Sequence, residues 1–553
     1  MTEGFDRRSF LARSALTAAG ITLGAGAVEG LGQGSAWAVQ TNGPGLNGIS
    51  TQRPKRGGKL TVGVSAEEQG FNPTTGRFDG AGYLYARTVY DQLLATTAVG
   101  GFAPYLAQSI TSNSSFTTWT ITLRPNVKFH DGTPCDGAAL LRNVDGQYKS
   151  ALTGVAVDPV IASYVQSGPL SIAITLKYPW VDFPVYLATS QINFVAAPSM
   201  LDAPNGGTSN PVGTGPFKFK EWVPNDHFTA VANESYWRPG LPYLSEVTFK
   251  PIPDEQARAE ALQSGTIQIM NMIGPSEIKE FRGSKQWAYV DNSGRMVGSP
   301  NVNCAMLNLS KPPFDDLLAR QVLATGTSSQ QYSKIIDQGV NGPVNGIYLP
   351  TSPYYTGTPY PKYNPAKAKS LADQYAQKHG APLSYTHNVV AAPDSIRQGE
   401  YSQQIMKNIG VQVTLNPMQQ NELIDSALFG TFQSTAWSQF GAISPSANFI
   451  WMSQSTYSPT GISINMARNS DPQIQQAFLE GMAATEQSVR VAAYGKVNQR
   501  LGADLPYIFV DRSTWAIASK PTVQNWNNPV APGGQPLLGN DQGVWWITQT
   551  WIS

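Results

Sequence analysis

Two cysteines in 553 residues, Cys135 and Cys304, permit at most one disulfide. Their separation does not say whether the sulfurs meet, so one bond and two buried thiols both stay open. Histidine is nearly as scarce: His130, His227, His379 and His387 are the whole set, and two of them have an acid beside them, His130 with Asp131 and His227 with Asp226. No His-Glu-x-x-His and no paired-cysteine spacing is present, so no metal site is expected. Charged residues make up only 14% of the chain, 38 basic against 37 acidic. That balance gives no general pull toward nucleic acid. No Gly-x-Ser-x-Gly elbow occurs, and sequence distance selects no pair of opposed carboxylates. Gly213-Thr214-Gly215-Pro216 lacks phosphate-loop spacing and runs into Phe217-Lys218-Phe219-Lys220, which reads as a strand rather than the required helix. Catalysis, a cofactor and nucleic-acid binding are therefore not indicated.

What is present begins at the N-terminus. Asp6-Arg7-Arg8-Ser9-Phe10-Leu11 precedes an apolar, glycine-rich stretch from Ala15 to Ala27, then Ala36-Trp37-Ala38. Paired arginines, a short apolar region and a small-x-small site read as a twin-arginine export signal, cleaved before Val39. Asp6 stands where a serine or threonine is usual. The apolar region is shorter than the roughly 20 residues a membrane span needs. No later stretch is apolar enough to span either. No cysteine follows the apolar region, so no lipid anchor is expected at that junction. Residues 39–57, rich in Gly, Asn, Pro and Gln, read as a flexible leader.

The remainder is too long for one core and predicts two or more domains. Leu60, Val62 and Val64 alternate with polar or small residues, as on a half-buried strand; so do Trp119, Ile121 and Leu123, and Ile172, Ile174 and Leu176. Asp254 and Gly265 bracket a predicted helix over 255–263. Asn364-Pro365 opens one over 366–377, near whose end lies Gly380. Residues 395–408 and 485–499 also read as helices. The class is α/β, without a 20–50 residue repeat. Phe129-His130-Asp131-Gly132 reads as a turn, with Asp131 bonding its own backbone and glycine free to take positive φ. Trp222, Tyr236 and Trp237 read as core or turn packing.

Aromatic residues reach 10% of the chain. They gather with small polar groups over 436–451: Trp437, Ser438, Gln439, Phe440, then Ser444-Pro445-Ser446, then Asn448, Phe449 and Trp451. Rings interleaved with hydroxyls and amides suit a ligand pocket, and equally a core strand followed by a turn.

Several ordered segments resemble one family. They include Gly70-Phe71-Asn72-Pro73, Tyr90-Asp91-Gln92-Leu93-Leu94, and Leu123-Arg124-Pro125-Asn126-Val127-Lys128-Phe129-His130-Asp131-Gly132-Thr133-Pro134. Gly213-Thr214-Gly215-Pro216-Phe217, Asn233-Glu234-Ser235-Tyr236-Trp237 and Tyr363-Asn364-Pro365-Ala366-Lys367-Ala368 continue the order. From about Gly58 to Phe509 the chain resembles the family 5 extracellular solute-binding proteins of ABC importers, the peptide and nickel binder group. The resemblance implies a two-lobed periplasmic-binding-protein-like α/β fold of the large class, with a subdomain inserted in the first lobe. The first lobe would take 58–90, 213–298 and 512–553, the insert 91–212, and the second lobe 299–511.

It also implies a non-enzymatic, monomeric receptor, periplasmic or cell-wall-associated. Such a receptor closes on a peptide or other solute and hands it to membrane permease subunits. Phe71 and Asn72 would meet the ligand from the first lobe. Trp437, Phe440 and Trp451 would shape or stack, and Ser438, Gln439, Ser444 and Asn448 would hydrogen-bond. Peptide binders resembling this chain place an aspartate before the loop proline to hold the peptide ammonium; Ser444 stands there. A carboxylate-gripping arginine is also missing from 387–393. Both departures point away from a zwitterionic dipeptide and toward an uncharged or amphiphilic solute, and Ser444→Asp is expected to gain affinity for amines. A non-transport sensor or chaperone-like peptide binder on this fold, and a secreted hydrolase, are the alternatives.

Overall fold

The computed structural model describes residues 53–76, 78, 80–293, 301–350, 352–357, 359–439, 441–459 and 461–553. The export signal, most of the leader and the candidate Phe440 lie outside these residues.

Three sheets organise the chain. A seven-stranded mixed sheet runs in the order Ala288–Asp291, Ala516–Ser519, Ile269–Met272, Lys59–Val64, Glu246–Pro251, His227–Ala232, Phe217–Val223. Its centre is parallel: Lys59–Val64 pairs with Glu246–Pro251 on one side and with Ile269–Met272 on the other. Leu60, Val62 and Val64 are fully buried there. A five-stranded sheet runs Gln412–Met418, Ser384–Val390, Ser434–Gln439, Val302–Leu307, Tyr507–Arg512. Inserted in sequence between the Lys59–Val64 and Phe217–Val223 strands of the seven-stranded sheet lies an antiparallel sheet of four, Ala107–Ser112, Thr118–Leu123, Ser171–Leu176, Ile161–Gly168. The predicted alternation appears as inward Trp119, Ile121, Leu123, Ile172, Ile174 and Leu176, each at most 4% exposed.

Helix ends follow local chemistry. Asp254 Oδ1 accepts from Ala257 N at 2.7 Å, and Gly265, at φ 88°, closes Glu255–Ser264. Asn364 Oδ1 accepts from Lys367 N at 2.9 Å and Gly380, at φ 73°, ends Pro365–His379. A left-handed residue with no Cβ satisfies the last carbonyls without strain.

The seven- and five-stranded sheets head two lobes, and the chain crosses between them twice. One crossing leaves Asp291 and arrives at Val302; the other leaves Arg512 and arrives at Ala516. Their described residues are hydrogen-bonded to one another. Asn292 N donates to Trp515 O at 3.1 Å, Trp515 N to Asn292 Oδ1 at 2.9 Å, and Ser513 N to Asn301 O at 2.8 Å.

The four-stranded insert is tied to the first lobe by buried polar bonds. Asp91 accepts from Trp237 Nε1 (2.7 Å), Tyr236 OH (2.8 Å) and Thr214 Oγ1 (3.0 Å), and burial pushes its carboxyl up to about 6. Gln147 and Gln191 both donate to Pro73 O, at 2.8 and 2.6 Å. His130 lies within 3.0 Å of Gly215 O, and burial pushes it down to about 4, so the turn at Asp131 is a structural joint. Thr133 N donates to Asp131 Oδ1 at 2.9 Å and Gly132 takes φ 88°, as the turn reading requires. Cys135 and Cys304 are both free and buried.

Candidate functional site

Ser434–Gln439 is the middle strand of the second-lobe sheet. It pairs antiparallel with Val302–Leu307, setting Trp437 opposite Cys304 and Ser438 opposite Asn303. Strand periodicity splits the candidates. Trp437 and Gln439 share one face, where Trp437 Nε1 donates to Gln439 Oε1 at 2.5 Å. Ser438 is exposed on the other face, its Oγ 3.3 Å from Ser513 Oγ. Ser513 Oγ donates onward to Asn303 Oδ1 (2.9 Å), and Asn303 Nδ2 to Asp511 Oδ1 (2.7 Å). Ser438 thus begins a polar row leading to the interlobe crossing.

That row ends on two buried acids. Asp337 and Asp511 are 2% and 1% exposed and share a hydrogen bond. Burial, reinforced by the adjoining Asp511 charge, pushes Asp337 up to about 9. Burial raises Asp511 to about 6, opposed by hydrogen bonds from Asp337, Asn303 and Asn341. Asp337 therefore keeps a proton at neutral pH and donates it to Asp511.

After the strand, Gly441 is gripped from both sides: its N–H donates to Asn301 Oδ1 at 3.1 Å, and Gln542 Nε2 donates to its carbonyl at 3.0 Å. Pro445–Asn448 forms a 3₁₀ turn and Phe449–Met452 one helical turn. Asn448 is buried between them, and Trp451 is half-buried against the main core. Ser444 is buried at the junction with the insert. Its Oγ donates to Asp182 Oδ2 and lies 3.1 Å from Ser446 Oγ. Arg490, on the helix Gln487–Asp504, donates from Nη2 to Asp182 Oδ2 (2.6 Å) and Ser444 Oγ (3.2 Å), and from Nη1 to Gly481 O (3.1 Å). Trp180 Nε1 donates to Asp182 Oδ1 at 3.0 Å. The Asp182 and Arg490 side chains are only 7% and 5% exposed. Burial works to lower the guanidinium pKa, but the adjoining Asp182 charge outweighs it, with help from Tyr494 and Tyr354, and holds the group above its ordinary value.

Phe71 and Asn72 are placed elsewhere. Phe71 packs its ring against Trp222, Phe228 and Tyr85, with centroids 5.0, 4.7 and 5.5 Å away. Asn72 donates from Nδ2 to Gly206 O at 2.8 Å, and its Oδ1 accepts from Thr74 N and Oγ1. The Phe71 ring is packed inside the first lobe, and the Asn72 side chain ties that lobe to the insert. Trp222, Tyr236 and Trp237 pack as the sequence predicts.

Asp182 and Arg490 escape a reading of sequence. Asp182 is a lone acid in an apolar run, Trp180-Val181-Asp182-Phe183, which hints at a buried pair, but its partner is 308 residues away.

The family of bacterial extracellular solute-binding proteins, family 5 Middle, matches residues 101–460. The glutathione-binding protein GsiB of Pectobacterium atrosepticum is 26% identical over 417 residues, covering 73% of this chain and 79% of that protein. The nickel-binding periplasmic protein of Escherichia coli is 26% identical over 464 residues, covering 80% and 87%. In fold the chain resembles the oligopeptide-binding protein AppA of Bacillus subtilis, solved with a nonapeptide. Their TM-score is 0.78 at 20% identity, over 91% of this chain and 100% of that one. With the family pattern covering well over half its length, the chain belongs to the family 5 bacterial extracellular solute-binding proteins.

Proposed function

We propose that this receptor delivers a solute without a free ammonium group, an uncharged or amphiphilic molecule or an N-blocked peptide, to its ABC permease. One observation carries the reading. The carboxylate beside Ser444 is that of Asp182, and Arg490 already neutralises it at 2.6 Å. A ligand ammonium arriving there would compete with a buried guanidinium, and Ser444 offers a hydroxyl where a charge would be needed. Trp437, Phe440 and Trp451 as apolar walls, with Gln439 beside Trp437 as a hydrogen-bonding group, fit such a solute; Ser438, on the opposite strand face, and Asn448, buried, would act outside that lining. The buried settings of Phe71, Asn72 and Ser444 favour supporting roles for those three. The relatives' names span a peptide and a metal. Among the described residues no three His, Cys, Asp or Glu side chains converge, which favours an organic solute over a bare ion.

The family is non-catalytic, so the secreted-hydrolase alternative falls. Export by the twin-arginine route, monomeric action, and a first lobe of 58–90, 213–298 and 512–553 with the insert at 91–212 belong to the same proposal. Calorimetry with a tripeptide and its N-acetyl form tests the ligand class. The acetylated form is expected to bind at least as tightly as the free amine. A preference of tenfold or more for the free amine, about 1.4 kcal/mol, refutes it. Mass spectrometry of small molecules released from protein purified from its host names the solute.

A further inference from the structure

The insert is bound to the two lobes in different ways. Toward the first lobe it has many buried polar bonds: Asp91 with Thr214, Tyr236 and Trp237, Gln147 and Gln191 with Pro73, and Phe71 N to Thr208 O at 2.8 Å. Toward the second lobe, the segment 178–183 carries a compact set of contacts. Val181 N donates to Met482 O at 2.9 Å. The Tyr178 and Trp180 rings each lie 6.3 Å from Phe449. Between them sits the Asp182–Arg490–Ser444 cluster. The insert is built to move with the first lobe, while Arg490 and Ser444 move with the second.

We infer that Asp182, Arg490 and Ser444 form an ionic clasp across the lobe boundary that sets the balance between open and closed receptor before any ligand arrives. The cluster is complete without a guest. Both Asp182 oxygens accept, Oδ1 from Trp180 and Oδ2 from Ser444 and Arg490, and Arg490 also anchors on Gly481 O. A buried charge pair satisfied on every side holds its geometry, whereas one whose partner is removed leaves an uncompensated charge that must be rehydrated by opening. The carboxylate is delivered by one body and the guanidinium by the other. Separating the bodies hydrates both ions, and joining them excludes water from both. A closed population present in the free protein raises apparent affinity for every ligand by the same factor, so the clasp tunes affinity without touching the solute. This inference concerns the moving parts and stands whatever the solute proves to be.

The test uses the full mature chain without ligand, spin-labelled at Val165→Cys on the insert and Phe429→Cys on the second lobe. Both positions are more than half exposed, while Cys135 and Cys304 are buried and stay unlabelled. Pulsed dipolar spectroscopy is expected to find a short-distance closed population in the otherwise unaltered protein. Arg490→Met is expected to cut its ratio to the open form about tenfold or more, and Ser444→Ala by a smaller factor. Asp182→Leu combined with Arg490→Met, which removes both charges, is expected to recover closure. Circular dichroism confirms that each variant is folded. Should Arg490→Met not fold, Ser444→Ala and the double variant decide. A single open population in the unaltered chain, or distance distributions unchanged in folded variants, overturns the clasp.

Discussion

Raising pH should loosen this protein through one proton. Asp337 and Asp511 are buried side by side, and the pair retains a proton that the unfolded chain surrenders near pH 4. Burial, with the charge of Asp511, lifts Asp337 to about 9. Below the unfolded value both states are protonated and the pair's contribution is fully present. As pH climbs toward 9, the folded state holds a proton the unfolded state lacks, so stability falls. One proton corresponds to roughly 1 kcal/mol per pH unit, hence a loss on the order of 2–3 kcal/mol between pH 6.5 and 8.5. Asp511, lifted to about 6, loses most of its share below this window. Asp337→Asn keeps a donor aimed at Asp511 and discards the titration. Urea unfolding followed by tryptophan fluorescence at pH 6.5, 7.5 and 8.5 gives the comparison. The natural chain should lose stability relative to Asp337→Asn with the one-proton slope, and groups common to both cancel. Parallel stability lines would show that Asp337 ionises in the folded state as it does in water, and the shared-proton description would be wrong.

The acid side should respond oppositely. Burial pushes His130 and His387 down to about 4, so each stays neutral in the folded protein while the unfolded chain takes up a proton below pH 6.5. Stability present above pH 6.5 should drain toward pH 4, and His387→Gln should flatten that limb by up to about 1.4 kcal/mol per pH unit in urea melts. Ser444→Asp, expected from sequence to gain affinity for amines, would place a second carboxylate beside Asp182 with one guanidinium between them. It should destabilise by about 3 kcal/mol, and Asp182→Ser in the same chain should restore most of the loss; an unchanged melt for Ser444→Asp would contradict the placement. Gly215→Ala would set a Cβ 2.5 Å from the Val89 carbonyl and 2.8 Å from Tyr90 N, where backbone cannot yield. A loss of about 3 kcal/mol or failure to accumulate is expected, read from soluble yield and thermal unfolding. Both thiols should resist a thiol reagent in the native protein and both should react in denaturant, with no change in Tm on adding reductant.

Local signals carried far along this chain. The alternation of Trp119, Ile121 and Leu123 with threonines names a strand and its buried face, because side chains on a pleated strand alternate whatever lies beyond it. Asn364-Pro365 and Asp254 name helix starts because the orphan N–H groups are satisfied within three residues. The turn at Asp131 closes on its own backbone. The candidate pocket was less legible. Trp437, Ser438 and Gln439 are consecutive and look like one lining, yet pleating sends Ser438 away from the other two. Phe71 and Asn72 sit in a segment that resembles the family's, but the Phe71 ring is consumed by the first-lobe core and the Asn72 amide by the joint with the insert. Composition is the same for a core face and a cleft face, so it cannot separate them.

The sequence by itself determined the elements, their caps, the shortage of charge and metal-binding groups, and the family to which their order belongs. These follow from interactions a few residues long or from the summed pattern of many weak ones. Only the tertiary structure decided which charges meet: Asp182 with Arg490 across the lobe boundary, and Asp337 with Asp511 beside the crossing strands. Such pairs are separated by hundreds of residues and stabilised by exclusion of water. That exclusion belongs to the assembled junction and leaves no periodicity, spacing or composition for a linear reading to find.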